Sequence, residues 1–422
     1  MVLSSVCYGN YITVTSYGDA GGTQSRAKVS RTWYDGLGRP VMTVDSVAGG
    51  NGMNVLTFME YDKRGNKWRE WLPVTSSEGF GGVVSNAEYG DFASTLYGSG
   101  EKPYTEYLYN EYESNSVSEV RGPGNKWQGH QVRYEHLSND SLGAYSCEKL
   151  YPLDEGGLES DGYYRAGTLQ INKQTNPDGD VVLEFTDRKG RVLQKRRISP
   201  DGRESADTRW IYDIYGNLRY VISPEGMLAI SGGDLSAETL GKYSTSYRYD
   251  YQHRVIEIAI PGCEPTEYVY DRLNHPFMSR NGDDRKNGVW RVRKYDRYSR
   301  PILEGFTESR LGRAELQKIY GDSLVTETLV PEESIAESQL MYTNSSGPSN
   351  FKAFRAWYYD DYRFLLDRFT GAELPAEAKN LSANGLCTGT AFTDSNMLDV
   401  WFSVTVYDYR RLPVWECTYD LY

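Results

Sequence analysis

One short motif recurs along the chain: a tyrosine followed by an aspartate, a turn residue a few positions later, and then a basic or apolar residue. A worn copy keeps the aspartate, Asp187, but has Thr186 in place of the tyrosine. Eight related copies are too many for coincidence, so they indicate one structural unit that is used repeatedly. The seven full copies start at Tyr34-Asp35, Tyr61-Asp62, Tyr212-Asp213, Tyr249-Asp250, Tyr270-Asp271, Tyr295-Asp296 and Tyr407-Asp408.

Each copy predicts a β-hairpin, in which one strand ends at the tyrosine and a second strand follows the turn. The aspartate can accept backbone N–H bonds within the turn, and glycine supplies the positive φ that the reversal needs. Three of the seven full copies carry that glycine, at Gly38, Gly65 and Gly216. After one turn, alternation places Ile256 and Ile258 on the same face of a half-buried strand. The high counts of 36 Tyr and 42 Gly agree with many short hairpins.

The spacing of the copies is uneven. It is 21 residues from Tyr249 to Tyr270 but 37 from Tyr212 to Tyr249, which excludes a propeller of uniform blades. Helical signals are few and short, and they indicate insertions between strands at residues 234–240, 309–319, 332–341 and 374–379. The sequence therefore predicts a mainly β fold of stacked antiparallel hairpins with a few short helical insertions.

The acidic composition limits the partners of this chain. It has 46 Lys and Arg against 58 Asp and Glu, a net charge of −12, which would repel a phosphate backbone, so nucleic acid is not expected as a partner. No stretch approaches the roughly 20 apolar residues of a membrane-spanning helix, and Met1 to Tyr11 show no signal peptide. The five cysteines lie far apart and match neither a zinc site nor a dense disulfide framework.

Motifs that carry chemistry are scarce in the sequence. Residues 176–180 and 281–284 are rich in Asn and Asp, but their spacing does not match a calcium loop, so both segments predict hairpin turns. The helical His-Glu-x-x-His zinc arrangement, the phosphate loop and the nucleophile elbow are missing from the sequence. The sequence therefore predicts no catalytic residue, no cofactor and no metal.

Residues 357–362 form the densest cluster of aromatic and acidic side chains. Aromatic rings suit the C–H faces of sugars, and carboxylates accept hydrogen bonds from sugar hydroxyls. Trp357, Tyr359 and Asp360 are therefore candidates for glycan binding, although a core strand is the favoured explanation of the same cluster. Carboxylate pairs for glycoside cleavage are a third interpretation, but the recurring aspartates already have a structural task in turns.

The repeats resemble the bacterial Rhs/YD-repeat family, whose consensus is Tyr-Asp, a short spacer, a glycine, and then arginine followed by a hydrophobic residue. The likeness is closest to the subgroup headed by an N-terminal domain of unknown function, through residues 10–12, 33–41 and 122–127. It implies a head domain at 8–145 and a YD-repeat β-sheet region at 146–422. Two copies depart from the consensus, because His253 and Asn274 stand where glycine is usual.

The resemblance implies a wide ribbon of hairpins that forms a large curled sheet or partial shell. In longer family members such shells can enclose a C-terminal toxin or effector, are secreted or displayed at the cell surface, and are described as carbohydrate-associated. The expected function is a non-enzymatic scaffold, with a surface glycan-binding module as the alternative. The expected partners are further YD repeats or a C-terminal effector, and surface glycans. The Asp-Pro-x-Gly release motif of some relatives is absent from the sequence, so self-cleavage is not expected.

Two further expectations concern packing. Equal positions of stacked hairpins share a sheet face, so each repeat tyrosine, such as Tyr212 or Tyr249, is expected to pack on its counterpart in the next hairpin. The last hairpin, around Val406 and Trp415, has no capping repeat after it in the sequence. Its edge is therefore expected to be open, and the chain to self-associate as concentration rises.

Overall fold

The computed structural model describes residues 3–7, 10–16, 28–111, 115–154, 156–330, 340–365, 383–393 and 400–421. Within these ranges the chain is mostly antiparallel β-structure with short helices between strands, which confirms the predicted fold class. The chain divides into a middle unit, Trp33–Glu264, and a terminal unit, Met1–Thr32 together with Pro265–Tyr422. The predicted boundary after residue 145 falls inside the middle unit, so the limits of the head domain stay a prediction.

The elements are numbered in chain order. The strands are β1 (Leu3–Cys7), β2 (Tyr11–Ser16), β3 (Lys28–Tyr34), β4 (Pro40–Asp45), β5 (Asn54–Tyr61), β6 (Lys67–Trp71), β7 (Val74–Ser76), β8 (Tyr104–Tyr109), β9 (Val117–Arg121), β10 (Val132–Ser138), β11 (Glu148–Pro152), β12 (Leu158–Tyr163), β13 (Gln170–Thr175), β14 (Val181–Thr186), β15 (Val192–Ile198), β16 (Ser205–Tyr212), β17 (Leu218–Ile222), β18 (Ser244–Tyr249), β19 (Val255–Ala259), β20 (Thr266–Tyr270), β21 (Pro276–Arg280), β22 (Val289–Tyr295), β23 (Pro301–Glu308), β24 (Lys352–Asp360), β25 (Ala383–Thr393), β26 (Val400–Tyr407) and β27 (Pro413–Leu421). The helices are α1 (Asn86–Tyr97), α2 (Pro224–Ser231), α3 (Ala237–Tyr243), α4 (Gly282–Lys286) and α5 (Arg313–Tyr320).

Hairpins follow one another along the sheet of the middle unit. Strands β13 to β19 each pair with the next strand in chain order, always antiparallel. The sheet reaches β13 from β4 through β5, β6, β8, β9 and β10. The hairpin of β11 and β12 is separate and lies in the insertion between β10 and β13.

The core of the first hairpins lies between the sheet and α1. Met42, Val44 and Leu56 are completely buried, and Tyr89 of α1 packs on them. The Tyr89 hydroxyl donates to the backbone carbonyl of Leu56 at 2.7 Å, so this buried phenol has a polar partner. Burying each such side chain contributes about 1.5–3 kcal/mol, so this cluster stabilises the packing of α1 on the sheet.

Strands β20 to β27 of the terminal unit also pair in chain order. Their core contains Trp290, Tyr358 and Phe402, all of them completely buried. In the same unit β1 pairs with β2, and β1 lies beside β27. The last strand therefore has two neighbouring strands, β26 and β1, while the expected self-association stays a prediction.

Two predicted helices are confirmed with shifted ends. The segment 234–240 contains the start of α3, and 309–319 contains most of α5. The candidates at 332–341 and 374–379 lie outside the described residues, apart from residues 340 and 341. The helix α1 was not expected, although Ser85 and Glu88 form a capping box at its start. That Ser-x-x-Glu spacing is a sequence signal for a helix start.

Side-chain caps begin helices at two places where the chain leaves a strand. At the end of β17, Ser223 caps α2 by accepting a hydrogen bond from the Gly226 N–H. Residues 281–284 were expected to form a hairpin turn, but Asn281 caps α4 and exchanges hydrogen bonds with Asp284 in a capping box. In both cases the side-chain oxygen satisfies a helix N–H that has no partner within the helix, and this favours a helical turn over a hairpin.

Candidate functional site

The recurring motif forms one turn geometry in all eight copies of the described chain. The first strand of each hairpin ends at the tyrosine, or at Thr186 in the worn copy, as predicted. In the copy at Tyr212, the Asp213 N–H donates to the carbonyl of Asn217 at 2.9 Å, and the Gly216 N–H donates to the carbonyl of Asp213 at 3.0 Å. The same two backbone bonds occur in every other copy. The sequence repeat is therefore a repeat of backbone conformation.

The aspartate carboxylate holds each turn from inside. In one copy, Asp250 accepts the backbone N–H groups of Gln252 and Arg254 at 2.9 and 3.0 Å, and the Arg254 Nε at 2.7 Å. Burial alone raises the pKa of Asp250, but the hydrogen bonds from Arg254 outweigh it and lower the pKa below its ordinary value. The carboxylates that accept the same two N–H groups are Asp35, Asp62, Asp187, Asp213, Asp271, Asp296 and Asp408.

The fourth residue of each turn has a left-handed backbone. Four copies use glycine there, with φ of 78° at Gly38, 90° at Gly65, 76° at Gly190 and 92° at Gly216. The other four copies keep the turn with a non-glycine residue at φ between 61° and 68°: His253, Asn274, Ser299 and Arg411. The four copies without glycine, among them the two at His253 and Asn274, therefore keep the turn, because the aspartate bonds outweigh the cost of a Cβ in this region.

The repeat tyrosines pack on the preceding turn, which corrects the expected tyrosine-on-tyrosine stacking. The Arg39 guanidinium lies 4.3 Å from the centre of the Tyr61 ring, and the Tyr61 hydroxyl donates to the carbonyl of Pro40 at 2.8 Å. The Tyr295 ring stacks in the same way on His275, with ring centres 4.1 Å apart. Tyrosines of adjacent hairpins are two strands apart, about 10 Å, which is too far for ring contact.

The glycan candidate Tyr359 makes the contacts of a repeat tyrosine, whereas Asp360, the residue after it, accepts from Arg300 and from the Gly385 N–H and not from its own turn. The Tyr359 ring lies 4.4 Å from the Arg300 guanidinium, and its hydroxyl donates to the carbonyl of Pro301 at 3.1 Å. These contacts match those of Tyr61 with the preceding turn. Both Asp360 oxygens accept from Arg300, at 2.8 and 2.7 Å, and these bonds lower the pKa of Asp360. The Tyr-Asp dipeptide is the signal that sequence reasoning missed.

A second hidden copy lies at Tyr109-Asn110, where asparagine replaces aspartate. Tyr109 ends β8 and donates its hydroxyl to the carbonyl of Lys67 at 2.8 Å. Lys67 stands six residues after Tyr61, as Pro40 stands six residues after Tyr34. Tyr249 repeats the contact with the carbonyl of Leu218, six residues after Tyr212, at 2.8 Å. The hydroxyl contact thus identifies repeat tyrosines even where the aspartate has been lost.

Two of the three glycan candidates line a cavity of about 530 Å³ in the terminal unit. Tyr359 and Asp360 line it together with Tyr298 and Arg297, but Trp357 is not among its described lining residues. The Trp357 ring instead lies 4.5 Å from the guanidinium of Arg355 on the same strand. The structure therefore brings Tyr359 and Asp360 together and leaves Trp357 apart from them.

A buried ion pair adjoins this cavity. Lys294 and Glu327 have fully buried side chains, and the Lys294 Nζ donates to the Glu327 carboxylate at 2.8 Å. Thr343 and the backbone N–H groups of Ser345 and Ser346 also donate to this carboxylate. Burial raises the pKa of Glu327, but these hydrogen bonds outweigh it and lower the pKa to about 2. Because both oxygens of the Glu327 carboxylate have hydrogen-bond donors, the role of this charge is structural: it holds residues 343–346 in place.

Among the residues that the structure describes, no group of three or more His, Cys, Asp or Glu side chains is arranged to hold a metal ion. The segment 176–180 forms a hairpin turn, as predicted, with the Gly179 N–H donating to the carbonyl of Asn176 at 2.9 Å. None of the described helices is both long and apolar enough to cross a membrane.

Comparison with known proteins gives one family match and several solved structures. The family described as a domain of unknown function (DUF6443) matches residues 10–138, which is less than half of the chain. No curated protein matches the chain. The chain is similar to the crystal structure of TcdB2-TccC3-TEV, at 12% identity and a TM-score of 0.44, over 96% of this chain and 16% of that one. It is also similar to TcdB2-TccC3-Cdc42, at 11% identity and a TM-score of 0.44, over 97% and 19%. The chain thus spans less than a fifth of these structures, and similarity at this level carries no functional argument.

Proposed function

We propose that this chain is a non-enzymatic scaffold segment of a Rhs/YD-repeat shell. The observation that carries the proposal is the turn that the chain builds eight times from the same hydrogen bonds. Each recurring carboxylate is occupied by backbone N–H groups of its own turn, so the groups that a glycosidase would need are used to shape the sheet. The family resemblance of the repeats supports the same conclusion, and the match to residues 10–138 falls on the expected head domain.

The partners follow from the shell function. Further YD repeats would extend the sheet, and a C-terminal effector of the same protein would be enclosed or presented by it. Secretion or display at the cell surface accords with this function. The resemblance of the repeats supports the enclosed effector and the secreted or surface location.

The test uses the protein with its native flanking sequence. A variable domain encoded after residue 422 would supply the effector, and the shell should protect that domain from added protease. Asp213→Ala with Asp250→Ala removes two turn carboxylates and should expose the domain to cleavage. Glu257→Ala, on β19 outside any turn, is the control and should leave protection unchanged. Equal protease sensitivity of the domain with and without the scaffold segment would overturn the proposal.

Glycan binding at the cavity of the terminal unit is the second candidate. The cavity favours it, because it combines the rings of Tyr298 and Tyr359 with the carboxylate of Asp361. On a glycan array, Tyr298→Ala should abolish a sugar signal, whereas Trp357→Ala should retain it because Trp357 is not among the described lining residues. A signal that depends on Trp357 and not on Tyr298 would place the sugar elsewhere. Turnover of any glycoside would refute the non-enzymatic assignment.

A further inference from the structure

The tips of the repeated turns have an unusual composition. We define a turn tip as the two residues that follow the turn aspartate. Sixteen such residues occur in the eight described turns, and seven are basic, seven are apolar or aromatic, and none is acidic, although acidic residues outnumber basic ones in the chain by 58 to 46. The tips are Gly36-Leu37, Lys63-Arg64, Arg188-Lys189, Ile214-Tyr215, Tyr251-Gln252, Arg272-Leu273, Arg297-Tyr298 and Tyr409-Arg410.

The turn itself does not require these side chains. The tip contributes a backbone N–H to the aspartate, as Tyr215 does to Asp213 at 3.0 Å, and any residue but proline can do so. The apolar tip residues are nevertheless large and exposed: Leu37 is 79% exposed, Ile214 84% and Tyr251 87%. A single exposed apolar residue is ordinary, but large exposed apolar residues at the same place in two adjacent repeats, Ile214-Tyr215 and Tyr251, are typical of a surface that a partner covers.

The turn tips of the middle unit share one end of the sheet. Strands β14 to β19 pair antiparallel in chain order, so the turns after β14, β16 and β18 all lie at the same end. Neighbouring tips are about 10 Å apart, the width of two strands. Adjacent turns touch, because the Tyr215 and His253 rings have centres 4.9 Å apart. The tips therefore form a continuous row.

The opposite end of the same strands has the opposite charge. The turns there, at residues 176–180 and 199–204, contain Asp178, Asp201 and Glu204, all of them exposed. A single exposed arginine, Arg203, accompanies them within these two turns. The strands thus separate an acidic end from an end with basic, aromatic and aliphatic tips.

We propose that the turn tips of the middle unit dock on an anionic lipid bilayer. Tyrosine, leucine and isoleucine partition into the interface between headgroups and acyl chains, and lysine and arginine are attracted to anionic headgroups. The carboxylates of Asp187 and Asp250 are each paired with an arginine of the same turn, Arg191 and Arg254, which reduces their repulsion of the headgroups. The exposed acidic residues at the opposite end of these strands, Asp178, Asp201 and Glu204, would be repelled by anionic headgroups, which favours an approach with the turn tips first.

The experiment is co-sedimentation of the chain with vesicles of phosphatidylcholine, with and without phosphatidylglycerol. The chain should bind the anionic vesicles and release them as salt is added. Arg188→Gln with Lys189→Gln should weaken binding about thirtyfold, at about 1 kcal/mol for each basic residue near the surface. The control Arg203→Gln removes an exposed charge at the other end of β15 and should leave binding unchanged.

A second pair of variants tests the apolar tips. Ile214→Ser with Tyr215→Ser should also reduce binding, whereas Leu228→Ser, which changes an exposed apolar residue on α2, should not. Unchanged thermal unfolding will show that each variant is folded.

Failure to bind anionic vesicles, or an equal loss in Arg203→Gln, would overturn the proposal. The proposal would also be overturned if the chain self-associated in a salt-sensitive way and the tip variants reduced that self-association but not vesicle binding. The tips would then contact the acidic end of a second copy of the chain. The scaffold proposal rests on the turn geometry and survives each of these failures.

Discussion

Replacing Gly38 by alanine tests the turn geometry with little interference from packing. Gly38 has a φ of 78°, whereas Gly36 in the same turn has a φ outside the left-handed region. A Cβ at either position would meet no atom within 4 Å, so neither alanine creates a clash. The two variants therefore differ only in the backbone conformation that alanine must adopt. Gly36→Ala is the matched control for Gly38→Ala.

The expected magnitudes follow from that difference. Alanine in the left-handed region costs about 1–2 kcal/mol, so Gly38→Ala should lower the free energy of unfolding by that amount. Gly36→Ala restricts the unfolded chain at a compatible site and should raise the same quantity by about 0.4–1 kcal/mol. Urea unfolding gives both values if the two transitions have equal slopes. Hydrogen exchange of the Asp35 amide, which bonds to the Arg39 carbonyl at 2.9 Å, reports on the same turn.

Equal stability of the two alanine variants would refute the turn assignment at this repeat. A larger loss of stability in Gly36→Ala than in Gly38→Ala would refute it as well. That result would place the left-handed residue one position after the aspartate and would break the equivalence with Gly65 and Gly216. A loss well above 2 kcal/mol in Gly38→Ala would mean that a Cβ contact, and not φ, sets the cost.

Three further predictions concern other parts of the chain. Ser299→Gly should raise the free energy of unfolding by about 0.5 kcal/mol in urea, because relief of left-handed strain exceeds the entropy of glycine. Lys294→Met should lower the free energy of unfolding by about 3–5 kcal/mol, because it leaves the buried Glu327 carboxylate without its ion-pair partner. The double variant Lys294→Met with Glu327→Gln should lose less stability than the sum of the losses of the two single variants. The pKa values of Asp35 and Asp250 lie below the ordinary 3.8, so the ionised carboxylates stabilise the folded state fully above that pH and lose this effect as the pH falls through the lowered values. The free energy of unfolding, measured as a function of pH, should therefore decrease below about pH 4. A constant free energy of unfolding in that range would contradict the prediction.

The sequence was sufficient for the hairpins because their determinants are local. Five consecutive residues, such as those from Asp213 to Asn217, contain both backbone bonds and the side-chain acceptor of a turn. The strand ends at Tyr212 and Leu218 follow directly. The start of α1 also has a local signal, the capping box of Ser85 and Glu88. Its place on the sheet has none, because it depends on Tyr89 reaching the carbonyl of Leu56, which lies 33 residues earlier in the chain.

The glycan candidates show where local reasoning fails. Trp357, Tyr359 and Asp360 are close in sequence, and their chemistry alone suits a sugar. The partner that explains two of them, Arg300, lies about sixty residues away in the sequence, so the pattern around Tyr359 does not reveal it. A turn glycine after Tyr359 would have identified the repeat, but Arg363 stands at that position.

The residue after the left-handed position explains why the spacing of the repeats can vary. Arg39 donates to the carboxylate of its own Asp35 and to the carbonyl of Gly65 in the next turn, and its guanidinium covers the Tyr61 ring. It therefore couples one hairpin to the next by contacts that depend on position in the sheet and not on distance along the chain. Arg300 makes the same ring contact with Tyr359 across a far longer insertion, which contains α5. Each repeat needs only its neighbour in space, so loops and helices of any length can be inserted between hairpins while the stacking of the repeats is retained.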